Sequence, residues 1–143
     1  MAAPQFSTSQ PKNPSKARRR FSLDQANRSL PLVSRIVRDI VNTHERVAQL
    51  QARIDEMPAK ETALIQQQLD EAMENLQDYV DELGVIGVEL KDYETGLIDF
   101  PGRHQGRDIY LCWRLGEDKV DHWHELQAGF AGRQPATKLQ EDA

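Results

Sequence analysis

The sequence predicts an α+β protein, a long antiparallel two-helix coiled-coil hairpin with a small antiparallel β-sheet. Three observations predict it. Two heptad seams follow one another across residues 33–83. All eight glycines lie at or after Gly84, so turn chemistry begins where helical periodicity ends. Beyond that point Ile109, Leu111, Trp113 and Leu115 fall on one face of an extended strand, with Asp108, Tyr110, Cys112 and Arg114 on the other.

Residues 1–20 are rich in Pro, Ser, Gln and basic side chains and nearly devoid of aliphatics, which reads as a disordered basic tail. Order begins at Phe21. Ser22 followed by Gln25 forms a capping box, and Phe21 can act as its hydrophobic staple. A short helix reaches about Leu30, where Pro31 permits either a kink or a fresh start. The first seam then runs Val33, Ile36, Ile40, Thr43, Val47, Leu50, Ile54 and Met57, alternating steps of three and four. Pro58 breaks it. The second seam runs Thr62, Ile65, Leu69, Ala72, Leu76, Tyr79 and Leu83, and Gly84 is placed as a C′ cap. A short turn between two such helices folds them back on each other, so residues 21–84 form the hairpin.

Residues 85–135 form a small β-rich unit packed on that hairpin. Val85–Leu90 is a candidate edge strand. Leu97–Phe100 and Ile109–Leu115 read as a β-hairpin with a long loop from Pro101 to Gly106. Val120–Leu126 fits strand or helix. Residues 136–143 read as a frayed polar tail.

Composition narrows the function. Charged residues make up 29% of the chain and the net charge is −5. Lys12, Lys16, Arg18, Arg19 and Arg20 give the first twenty residues +5, so the body carries −10. An acidic body argues against nucleic acid as a partner. A single cysteine excludes an internal disulfide framework and leaves any metal site to His and carboxylates. No apolar run reaches the ~18–20 residues of a membrane span, so a cytoplasmic chain with no membrane contact is expected.

The C-terminal third holds both tryptophans, the cysteine and three of the four histidines. Asp121-His122-Trp123-His124-Glu125 is its richest cluster. As a strand it would aim His122 and His124 the same way, as two metal ligands would point; as a helix it would not. Nothing in the spacing supplies a third ligand, so no metal and no cofactor are expected. Cys112, mid-strand between Leu111 and Trp113, reads as a buried, inert thiol, although Arg114 shares its face. Gly129-Phe130-Ala131-Gly132-Arg133 could cradle an anion on its amides. More simply, it is a tight turn with Phe130 plugging the core and Arg133 paired to Asp99 or Glu117.

Several segments together resemble a known family: Phe21-Ser22-Leu23-Asp24-Gln25-Ala26-Asn27 with Leu30-Pro31, Gly96-Leu97-Ile98-Asp99-Phe100-Pro101, Leu111-Cys112-Trp113-Arg114-Leu115-Gly116-Glu117, Trp123-His124-Glu125 and Gly129-Phe130-Ala131-Gly132-Arg133. The family is one of small bacterial proteins catalogued only as a domain of unknown function. The resemblance spans about residues 21–135 and implies a bacterial, cytoplasmic protein without implying an activity. His122 and the basic tail fall outside it, which favours His124 over His122 as a functional group.

Two functional expectations follow. In the first, the protein is a non-enzymatic scaffold that self-associates through its helices or meets a protein partner. Val37, Val41 and Ala48 widen the first seam, and Leu64, Met73 and Val80 lie off the second; that apolar width needs a cover. In the second, Asp99, Arg114, Glu117, His124 and Arg133 form a polar site for a small ligand or metal. No complete catalytic set is present.

Overall fold

The computed structural model describes residues 19–141. Two helices pair as a hairpin: α1 spans Leu23–Glu56 and α2 spans Ala63–Ile86. A five-stranded antiparallel sheet follows, with β1 Glu89–Asp92, β2 Leu97–His104, β3 Arg107–Arg114, β4 His122–Glu125 and β5 Gln134–Pro135. Its spatial order is the chain order, β1-β2-β3-β4-β5. Short 3₁₀ turns lie at Ala59–Glu61, Phe130–Gly132 and Ala136–Lys138. The fold is α+β, as the seams and the glycine distribution predict. Apart from Arg19 and Arg20, the basic tail lies outside the described residues.

α1 starts at the capping box. The Gln25 amide donates to Ser22 Oγ at 3.0 Å, and the Ser22 amide donates to Gln25 Oε1 at 2.9 Å. The helix then runs on through Pro31 as one continuous element and does not restart there. A proline ring supplies a helical φ and forfeits one hydrogen bond, the one its N–H would have given the Asn27 carbonyl. The flanking turn is fastened otherwise: Asn27 Oδ1 accepts from the Val120 amide at 2.8 Å, and Asn27 Nδ2 donates to the Val120 carbonyl at 2.9 Å. Both seams are buried between the helices, from Val33 and Ile36 to Leu50 on α1 and from Ile65 to Leu83 on α2. At 1.5 Å per residue, 34 and 24 residues give lengths of about 51 and 36 Å.

Gly84 does not end α2. The helix runs on to Ile86, and Gly87, at φ +101°, takes the left-handed cap position. Arg19 donates to the Ile86 carbonyl at 3.3 Å and lies over the Phe21 ring, a cation placed at the negative end of the helix.

The predicted loop at Pro101–Gly106 is strand instead. β2 runs to His104 and returns through a two-residue turn at Gln105-Gly106, both with positive φ. Proline is tolerated inside the strand for a directional reason. In an antiparallel strand a residue's N–H and C=O point to the same side, and the Pro101 carbonyl accepts from the Phe21 amide at 2.7 Å. The ring nitrogen therefore faces away from β3, and no β2–β3 hydrogen bond is lost.

One face of the sheet packs on the hairpin through Ile98, Phe100, Ile109, Leu111, Trp113 and Trp123. Val37 and Val80 are buried, and Val41 and Met73 pack against the same core, so most of the surplus apolar width is covered within the chain. Leu64 remains 65% exposed. Gly96, at φ +71°, sits where a Cβ would come within 2.8 Å of both Leu115 Cβ and Val37 Cγ1. Gly96→Ala should therefore cost about 2–4 kcal/mol, combining left-handed strain with overpacking. Urea unfolding at constant slope measures it, and a loss below 1 kcal/mol would show that β2 relaxes away from α1 at this point.

The segment after Pro135 is tied to the sheet. The Ala136 amide donates to the Asp121 carbonyl, the Gln105 amide to the Gln140 carbonyl, and the Leu23 amide to Glu141 Oε1.

Candidate functional site

The face of the sheet turned away from the helices carries the polar residues. Register decides which of them meet. Asp99 lies opposite Cys112 across β2 and β3, Tyr110 lies opposite His124 across β3 and β4, and Glu89 on β1 lies opposite Asp99. The segment 122–125 is a strand, so His122 and His124 share this face.

Asp99, Cys112 and His124 are buried side by side, at 3%, 1% and 2% exposure. Their carboxylate oxygen, sulfur and ring nitrogen all lie within 4.8 Å of one another. His124 Nε2 is 3.0 Å from Asp99 Oδ1, and Nδ1 is 2.7 Å from the Glu125 carbonyl. Both partners are acceptors, so both ring nitrogens donate and the imidazole carries a proton on each. Burial alone would depress its pKa. The hydrogen bond to Asp99 opposes this, reinforced by Cys112, the Glu125 carbonyl and the Asp99 charge, and His124 is pushed up to about 10. With both nitrogens donating, no lone pair is left to take a proton from Cys112, so the trio is not arranged as a nucleophile and its base. Tyr110 closes one side. Its ring lies 5.5 Å from that of His124, its hydroxyl donates to Glu89 Oε1 at 3.1 Å, and Lys91 lies over it.

A second set lies beside the first. Arg133 pairs with Glu117 at 2.9 Å and also donates to the Cys112 carbonyl at 3.4 Å. Glu117 Oε1 accepts from the Arg114 amide at 2.8 Å. Burial pushes the Glu117 carboxyl up, but the Arg133 hydrogen bond, the Arg114 amide and the nearby Arg133 and His122 charges outweigh it and hold it below the usual range. The guanidinium carbons of Arg114 and Arg133 lie 5.0 and 4.6 Å from the centre of the Phe130 ring. Phe130 is 36% exposed, so it is a platform for two arginines and not a plug in the core. The amides of Gly132 and Arg133 donate to Gly129 and Phe130 carbonyls within the turn. Those two are unavailable to an anion.

Hydrogen bonds and ring contacts join the five predicted site residues as two sets, Asp99 with His124 and Arg114 with Glu117 and Arg133; Asp99, Arg114 and His124 share a sheet face, whereas Glu117 and Arg133 lie in the loops beside it. The Cys112 residue touches both, by its sulfur and by its carbonyl. His122 pairs with its neighbour Asp121 at 2.6 Å. A separate groove of about 490 Å³ opens where α1 meets the β3–β4 turn, lined among others by Asn27, Ser34, Arg38 and Asp118. Of the five, only Glu117 reaches it.

A family model described as an uncharacterized conserved protein, DUF2203, matches residues 19–136. The chain belongs to this family. The match takes in both helices, the whole sheet and every residue of the two sets. No curated protein and no solved structure matches the chain. Among the described residues no helix is long and apolar enough to cross a membrane.

Proposed function

We propose that this family member is a small-ligand-binding protein whose site is the polar face of the sheet around Cys112. The observation that supports it is the pair of ionic sets, one fully buried, beside the sheet face opposite the one packed on the hairpin. A buried ion pair is a weak source of stability, because desolvation offsets its attraction, and apolar side chains of similar volume would serve the fold as well. Charges kept in such a place are better explained by something they bind. Self-association through the helices has less to recommend it, since most of the surplus apolar side chains of α1 and α2 are covered within the chain's own core.

Native mass spectrometry of the gently purified chain, with thermal denaturation against inorganic phosphate, small carboxylates and divalent cations, tests the reading. The expected result is a retained mass above that of the chain, or a rise in midpoint with one of these probes, lost in Arg133→Met or Asp99→Asn. A bare mass and an unmoved midpoint across the panel would sink it. The same spectrum reads the number of chains in the particle.

A further inference from the structure

We infer that Asp99, Cys112 and His124 bind a divalent transition-metal ion of the zinc class, an inference that rests on the ligand-binding reading above and names its ligand. Each residue comes from a different strand, β2, β3 and β4, so the ladder itself holds the three donors in place. Their donor atoms lie within 4.8 Å of one another, with Asp99 and His124 at 3.0 Å. A tetrahedral zinc site, with bonds of 2.0–2.3 Å, sets its ligand atoms about 3.3–3.6 Å apart. Side-chain adjustments of a few tenths of an ångström span the difference for the closest pair.

The ring of His124 is already oriented as a ligand's should be. Its Nδ1–H donates to the Glu125 carbonyl at 2.7 Å, the second contact that fixes tautomer and plane in metal-bound histidines and leaves Nε2 to the metal. A thiolate, an imidazole and a carboxylate select zinc or cobalt(II) over magnesium or calcium, which prefer oxygen alone. Three protein donors leave a fourth position for water or an outside ligand.

Charge bookkeeping also fits. A bound dication would take the places of the Nε2 and thiol protons, which leave to solvent, so that carboxylate, thiolate and neutral imidazole balance the ion. Affinity should accordingly rise with pH.

Cobalt(II) titration of the chelator-treated full chain tests this. One equivalent should bind with a thiolate-to-cobalt charge-transfer absorption and the visible bands of a four-coordinate ion, and zinc should displace it. Cys112→Ser should abolish the charge-transfer absorption, and Asp99→Asn should weaken binding at least tenfold. Should either variant fold poorly, the wild-type titration decides alone. No uptake by the wild type, or uptake without the thiolate absorption, overturns the metal site. In that event a retained organic mass on the native protein keeps the broader ligand-binding reading, whereas a bare chain that no probe stabilises removes both.

Discussion

At pH 7, Asp99→Asn should lower the unfolding free energy by about 3–5 kcal/mol, because it strands a buried imidazolium without its counter-charge. The deficit should shrink as the pH rises. His124 ionises near 10 in the folded chain and near 6.5 when unfolded. Between those values the folded state holds more protons, so the stabilisation from the pair, complete below pH ~6.5, is lost as the pH climbs toward 10. In the variant the folded imidazole no longer gains from Asp99, and that slope should disappear. Urea midpoints from pH 6 to 10 for both proteins give the comparison. Parallel curves would mean that the Asp99–His124 pair is not ionised in the folded chain.

The second large effect lies in the core. Phe100 is fully buried and meets Phe21 edge to face, with ring centres 5.2 Å apart and planes at 73°. This contact joins the start of α1 to the middle of β2, next to the hydrogen bond from the Phe21 amide to Pro101. Phe100→Ala should cost about 3–5 kcal/mol through lost transfer energy and the cavity left behind. That is a large part of the ~5–15 kcal/mol that holds an ordinary domain together. Leu64→Ala, on the exposed side of α2, should stay within about 0.5 kcal/mol. Chemical denaturation of the two variants side by side measures both. A comparable loss at Leu64 would show that this side chain is covered in solution, by a second copy or a partner.

The hairpin was legible because its signal is redundant. Seven of eight positions in the first seam are apolar at heptad spacing, and no local detail could displace that pattern. The boundaries were less legible, since they depend on contacts distant in sequence. Pro31 looks like a break until Asn27 is seen holding Val120, and Gly84 looks like a cap until Gly87 is seen beside Arg19. The site shows the same division. Asp99, Glu117, His124 and Arg133 could be picked out by residue type, and the Arg133–Glu117 pair by charge. The place of Cys112 could not. It follows from the register of β2 on β3, and that register turns on whether Pro101 to Gly106 is loop or strand. Pro101 argues for a loop by composition; only the Phe21 amide, some eighty residues earlier, shows which way its missing N–H points.

The stitching of Phe21 to Pro101, Leu23 to Glu141 and Gln105 to Gln140 places both ends of the described chain at one corner, beside the β2–β3 turn. The path of the described residues is almost a ring closed at this corner, and the 57–62 turn forms the tip of the hairpin. The tip closes by contacts near in sequence, whereas the corner closes only when segments more than a hundred residues apart arrive together. Loop closure of that span is entropically the costlier event. The hairpin can therefore zip from its tip, and the corner is the costlier part of the molecule to close.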